Sequence, residues 1–374
     1  MIVNKIRGLL EKAGIAINGP NPWDIQLHDE RWYRRVLRDR NLGLGESYME
    51  GWWDCDQLDE MICRLLRSGL GESVGENPLH LFRRLPALLF NLQSRARARM
   101  IATHHYDLGN DLFFSFLDAY KQYSCGYFQE TDDLDQAQQN KLALIAGKLN
   151  LTTGDRLLDI GCGWGGLAKY AAERFGCEVI AVNISEAQLQ FARDFCQGLP
   201  VRFQNRDYRG IAGRFDKIVS VGMFEHVGNK NYRIFMKTAH RCLKEKGIFL
   251  LHTIGGNTST TGCDPWLTRY IFPNAMLPST AQIARAAEGL FVIEDWHNFG
   301  PHYDKTLMAW NRNFQEAWPR LAMKYDARFK RMWEYYLLCW AGAFRARHIQ
   351  LWQIVLTRYG SGTEQPRCRF TLAP

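Results

Sequence analysis

Glu225 and His226 follow the apolar run of SVGMFEHVG (220–228), and His252 ends another in LLHTIGG (250–256). In each case a titratable side chain stands where an apolar strand gives way to glycine. A carboxylate and an imidazole so placed could move a proton, steady a cation or orient another group. The alternatives are a helix N-cap acid for Glu225 and a satisfied core histidine for His252. YSCGYF (123–128) sets the Cys125 thiol between aromatic rings, whose faces attract cations. DWHNFGPHYDKTLMAW (295–310) gathers His297, His302 and Tyr303 among tryptophans, the composition of a dry small-molecule pocket. The spacings of Glu225, His252, His297 and His302 match no metal-ligand pattern, and no metal is expected.

A ligand cradle is written in LLDIGCGWGG (157–166). Leu157, Leu158 and Ile160 read as a buried strand. Gly161 and Gly163 allow a tight turn and close backbone approach, and a helix then presents free N–H groups to whatever fills the turn. Asp159 ahead of the glycines gives D-x-G-x-G, the form used by S-adenosylmethionine enzymes. The dinucleotide form G-x-G-x-x-G is not matched, because Leu167 and Ala168 follow Gly166. The next strand ends at Asn183, with Gln188 a turn later. Either amide could hold ribose hydroxyls, although Asn183 also reads as a turn opener. Asp207 and Tyr208 end the strand after that, where an acid and a ring could meet an adenine.

These residues need a sheet to bring them together. Strands are predicted at 156–160, 178–183, 201–207, 216–221 and 248–252, alternating with helices. A later antiparallel hairpin is expected from 291–295 and 351–357. Such alternation gives a parallel sheet with ligands at the strands' carboxyl ends. The expected fold is α/β: a Rossmann-like, class I methyltransferase seven-stranded sheet with a small helical N-terminal domain. In that domain helices are predicted at 2–13, 29–40 and 58–67, with a glycine-rich turn after the second. A helix is also predicted at 134–149. The expected organisation is a docking or dimerisation domain over 1–85, a basic linker over 86–105 and a catalytic domain over 106–374.

The 374 residues are 46% hydrophobic, enough for a large core, yet no apolar run approaches the roughly 20 residues that span a bilayer. The N-terminus lacks the apolar stretch of a signal peptide, and the ten cysteines are scattered without a C-x-x-C pair. Both features fit a reduced, cytoplasmic protein. The net charge of +8 favours polyanions, nucleic acid or an anionic membrane face. Its densest part is 81–100, where Arg83, Arg84, Arg95, Arg97 and Arg99 alternate with apolar residues and no acid. That mixture suits a lipid interface, or else a solvated linker. No base-reading motif accompanies it, so nucleic acid is not an expected partner.

Taken in order, KAGIAING (12–19), LGLGESYMEGWWD (42–54), LFNLQS (89–94), HYDLGND (105–111), YSCGYF, LDIGCGWGG, SVGMFEHVG, LLHTIG and the 295–310 block resemble the bacterial cyclopropane-fatty-acyl-phospholipid synthases over nearly the whole chain. The resemblance implies transfer of a methylene unit from S-adenosylmethionine to a cis double bond in membrane phospholipid acyl chains. It implies a carbocation intermediate deprotonated by a bicarbonate ion set among Cys125, Glu225, His252, Ile254 and Tyr303. It further implies donor contacts at Tyr123, Ser124, Gly161, Gly163 and Gln188. Gly126 and Asn183 replace residues more usual in the family, an alanine and a threonine, which bears on donor affinity. A homodimer, peripheral at an anionic inner membrane face, is the family expectation. Fatty-acyl C-methylation without ring closure would use the same fold and donor site. A donor-binding but inactive regulator is harder to square with Cys125, Glu225, His252 and Tyr303 together.

Overall fold

The structure, a computed structural model, describes residues 2–69, 109–260, 262–362 and 364–368. The expected basic linker and the five arginines of 83–99 lie outside the described residues, as do LFNLQS and the start of HYDLGND.

The N-terminal helices are α1 (Ile2–Lys12), α2 (Arg31–Met49) and α3 (Leu58–Arg67). Strands β1 (Gln26–Leu27) and β2 (Trp53–Asp54) form a two-residue ladder too short to leave any sequence period. The predicted glycine-rich turn after residue 40 is instead more helix. Helix α2 bends at Arg40 (φ 52°, ψ −128°) and runs on through Gly43 and Gly45. Packing gives the reason. A Cβ at Gly45 would sit 2.5 Å from the Trp266 ring, so glycine lets α2 press against helix α9 described below.

Helix α4 (Asn110–Phe114) and helix α5 (Leu134–Leu149) precede the main sheet. Asp133 caps α5, its carboxylate accepting from the Gln136 N–H at 2.8 Å, and Asn150 closes it in the left-handed conformation. The sheet then builds from β3 (Arg156–Ile160), α6 (Gly166–Phe175), β4 (Glu178–Asn183), α7 (Glu186–Phe195), β5 (Val201–Asn205), β6 (Phe215–Val221), α8 (Tyr232–Cys242) and β7 (Leu243–Gly256). Short helices α9 (Pro265–Tyr270) and α10 (Thr280–Ala287) lead to β8 (Phe291–Asn298). Two long helices, α11 (Pro301–Leu321) and α12 (Ala327–Arg345), precede β9 (Ile349–Arg358).

Strand order is β5-β4-β3-β6-β7-β9-β8, with β9 antiparallel to both neighbours and the other contacts parallel. The last two strands are antiparallel as expected, but they are not a hairpin. Helices α11 and α12 stand between them in the chain. Leu158, Ile160, Phe249 and Leu251 pack on the α8 and α10 side of the sheet. Leu157, Val219 and Leu250 pack on the α5 and α6 side. This alternation buries both faces, as a parallel sheet between helices requires. A third core joins α1–α3 to α4, α9, α11 and α12. Arg345 fastens that layer, its guanidinium 2.7 Å from Asp59 and 2.9 Å from Asp304.

Candidate active site

The parallel strands β3 to β7 end at one rim, and a cavity of about 240 Å³ opens there. Of the fourteen residues expected to hold the donor or the bicarbonate ion, twelve line it: Tyr123, Ser124, Asp159, Gly161, Gly163, Asn183, Gln188, Asp207, Tyr208, Glu225, Ile254 and Tyr303. Cys125 and His252 are fully buried behind the wall.

The turn after β3 is built for close approach. Gly161 takes φ +88°, and a Cβ there would lie 2.7 Å from Met223. The N–H groups of Gly161 and Cys162 both donate to the Val182 carbonyl of β4, at 2.9 and 3.2 Å. Asn183 braces the same turn. Its amide N–H donates to Gln188 Oε1 at 2.8 Å and to the Gly163 carbonyl, and its oxygen accepts from the Ile184 N–H. Asn183 therefore shapes the turn, and Gln188, whose oxygen is taken, keeps amide N–H donors for a ligand. Asp207 accepts from the Arg209 N–H at 2.9 Å, while Arg209 Nε donates to the Tyr208 hydroxyl at 3.1 Å.

Glu225 sits in a single turn of 3₁₀ helix, Phe224–His226, beyond β6. Its Oε1 accepts the Ile254 N–H of β7 at 2.7 Å, and its Oε2 is buried without a partner. Burial pushes its carboxyl up to about 7. His226 also lines the cavity, edge-on to Phe272, and burial pulls its imidazole down to about 4. His252 lies two residues before Ile254 on the same face of β7. Gln353 approaches its Nδ1 at 3.3 Å, and its Nε2 is buried without a partner. Burial first, then the charges of Lys141 and Lys148, hold that imidazole well below its usual range. Cys125 donates to the Gly126 carbonyl at 3.1 Å, and burial keeps it a thiol. The Gly126 N–H donates to Thr306 Oγ1 at 3.0 Å, so α11 grips this segment from behind.

The 295–310 block does not form one pocket. Tyr303 faces the cavity with Leu307 one turn on, and it stacks on Phe344. His302 points elsewhere, accepting the Phe128 N–H at 2.8 Å and stacking on Tyr127. His297 meets the buried Lys148 at 3.0 Å. Helical rotation of about 100° per residue separates His302 from Tyr303. Among the described residues, no cluster of three or more His, Cys, Asp or Glu is placed to hold a metal.

The other end of the cavity is greasy. Phe272 and Leu277 come from the connection after α9, and Leu307, Tyr336 and Trp340 come from α11 and α12. Sequence reading reached Leu307, inside the 295–310 block, but missed Phe272, Leu277, Tyr336 and Trp340, because large apolar residues outside a motif read as ordinary core. It also missed Lys141, which is fully buried behind Ser124. A signal existed: Leu134, Gln138, Lys141, Ile145 and Lys148 recur at helical spacing on one buried stripe of α5.

The cavity thus pairs an adenosyl-type cradle with an apolar slot, and it carries a carboxyl, a phenol and a buried imidazole. Known proteins agree in sequence and fold. The profile of the mycolic acid cyclopropane synthetase family matches residues 93–354. The cyclopropane-fatty-acyl-phospholipid synthase of Escherichia coli K12 is 53% identical over 350 residues, covering 94% of this chain and 92% of that one. The cyclopropane synthase MmaA2 from Mycobacterium tuberculosis superposes with a TM-score of 0.65 at 30% identity, over 70% of this chain and 98% of the other. The mycolic acid cyclopropane synthase CmaA1, solved with SAH and CTAB, gives a TM-score of 0.64 at 31% identity, with the same coverage.

Proposed function

The chain belongs to the mycolic acid cyclopropane synthetase family of S-adenosylmethionine-dependent methyltransferases, and on that premise we propose that it cyclopropanates unsaturated acyl chains of membrane phospholipids. One observation carries the reading. A single cavity holds the D-x-G-x-G cradle, the apolar wall of α11 and α12, and Glu225 with Tyr303.

The alkene is a weak nucleophile and the sulfonium methyl a strong electrophile. The π electrons form a bond to the methyl carbon as the carbon–sulfur bond breaks, and S-adenosylhomocysteine leaves with that electron pair. A carbocation remains beside the new methyl group. Loss of a proton from that methyl closes the ring. Water would capture the cation, so the work of Phe272, Leu307, Tyr336 and Trp340 is to keep the slot dry. Tyr123, itself hydrogen-bonded to the Tyr336 hydroxyl at 3.0 Å, adds an aromatic face to the donor wall.

A small anionic base fits the residues present. Glu225 Oε2 and His252 Nε2 are buried and unpartnered; Glu225 and Tyr303 line the cavity, and His252 stands behind that wall. Bicarbonate, when bound there, supplies an acceptor for the methyl proton. The neutral His252 offers it an N–H, Tyr303 an O–H, and the near-neutral Glu225 a carboxyl proton. The Ile254 and Gly126 N–H groups are already engaged, with Glu225 and Thr306, so side chains rather than those amides make the cradle.

No described helix is long and apolar enough to cross a membrane. The proposed contact with lipid is peripheral, with the arginines of 83–99 as its candidates, in an organisation of helical docking unit, basic linker and catalytic body. A homodimer and an anionic inner-leaflet site complete the reading. Purified protein, labelled S-adenosylmethionine and vesicles of unsaturated phospholipid test it. High-field cyclopropane proton resonances in the product acyl chains are expected. A methylated alkene of equal mass would replace the ring-closing reading with plain C-methylation, and no labelled lipid would overturn both.

A further inference from the structure

Behind the donor wall stands a cation that the chemistry above does not use. Lys141, on α5, is fully buried, and its ammonium donates to Gln122 Oε1 and to Ser124 Oγ at 3.0 Å. Gln122 and Ser124 line the cavity, while Lys141 does not. One turn earlier, Gln138 donates its side-chain amide to the Ser124 carbonyl at 2.8 Å. The segment is therefore clamped by α5 at both backbone and side chain.

The direction of one bond matters most. An ammonium has three donors and no acceptor, so Ser124 Oγ must accept from Lys141. The Ser124 proton must then go elsewhere, and no protein acceptor for it occurs among the described residues. What Ser124 faces is the cavity. A hydroxyl donor backed by a buried positive charge is a recognition element for a carboxylate. Across the same end of the cavity, Asp159 Oδ2 is buried and unpartnered, an acceptor suited to an ammonium. The two together match an amino-acid zwitterion.

We propose that Lys141 is a positioning residue for the donor: through Ser124 it recognises the carboxylate of the aminobutyrate tail and so fixes which way the sulfonium enters. This rests on the donor-site reading. Binding calorimetry with two probes separates the possibilities: S-adenosylhomocysteine, and its decarboxylated form, which keeps the amine. Lys141→Met is expected to weaken S-adenosylhomocysteine by about 10–100-fold, the range for a hydrogen bond to a charged group. The decarboxylated probe should change less than about threefold, because the interaction removed is absent from it. Ser124→Ala, which leaves the buried lysine in place, should shift the same preference and keeps the test open if the Met variant does not fold. Equal losses for both probes, or none, would mean a merely structural lysine and overturn the proposal. Lys121 is the competing cation, its ammonium over the Phe114 ring at 5.2 Å. Loss of the preference in Lys121→Met but not in Lys141→Met also overturns it. Wild-type protein that binds neither probe would refute the donor site itself.

Discussion

Glu225 holds a proton more tightly in the fold than in the unfolded chain, because burial outweighs the bond from Ile254. The sign of its effect on stability follows. Below the ordinary value of 4.5 both states are protonated and nothing is lost. Between there and about 7 the unfolded chain releases the proton first, so ionisation progressively favours unfolding. Glu225→Gln should therefore gain on the order of 2 kcal/mol over wild type at pH 8 and almost nothing at pH 4.5, measured by denaturant unfolding. A gain independent of pH would refute the assignment. Turnover should fall in the same variant. In Tyr303→Phe, turnover should drop about 100-fold while S-adenosylhomocysteine affinity stays within threefold, since the lost hydroxyl acts on proton transfer and not on the donor. Near-normal turnover would remove Tyr303 from the site. Residues next to one another in sequence were the readable ones. Asp159, Gly161 and Gly163 share one strand and turn, so their type and spacing disclose the cradle. The partners of Lys141, by contrast, are Gln122 and Ser124, 19 and 17 positions away, and a helical lysine reads as solvated until tertiary contacts are known.

Among the elements, α2 is the instructive case. Gly43 and Gly45 resemble turn residues in sequence, yet they lie buried in a helix, where the Arg35 carbonyl at Gly43 and the Trp266 indole at Gly45 occupy the space of a side chain. Gly45→Ala should cost about 1–3 kcal/mol through overpacking against Trp266, despite the better helix propensity of alanine. A stabilised Gly45→Ala variant in thermal unfolding would contradict the close approach. The strands were legible to within a few residues because a period of two and runs of Val, Ile and Leu survive in sequence. Their pairing order was legible only as a class, since the insertion of α11 and α12 between β8 and β9 leaves no local mark. Strand β7 also runs longer than its apolar core predicts, from Leu243 to Gly256, because its ends still pair with β6 and β9, helped at the start by the Lys244–Asp216 ion pair.

At the scale of the whole molecule, charge and apolar surface are distributed between different tasks. The described N-terminal helices share a core with α11 and α12, so the small helical unit and the helices that wall the cavity are mechanically joined. The net charge is +8, and the densest cationic stretch of the sequence falls at 83–99. Replacing Arg83, Arg84, Arg95, Arg97 and Arg99 with glutamine should weaken binding to anionic vesicles by at least tenfold at low ionic strength, on the scale of about 1 kcal/mol per basic residue near the surface. Sedimentation with phosphatidylglycerol vesicles measures this, and unchanged binding would send the membrane contact elsewhere. Donor affinity in solution should not move.

The insertion between the last two strands has an evolutionary meaning. The glycine turn and much of the polar lining of the cavity come from the segment before α5 and the ends of β3, β4 and β5, whereas much of the apolar wall comes from a helical pair near the carboxyl end of the chain. Two separate stretches of gene thus govern who gives the carbon and who takes it. A lineage could remodel the helical pair and reshape the recipient's end, provided that it kept the Tyr303 phenol and the Tyr336 hydroxyl that holds Tyr123.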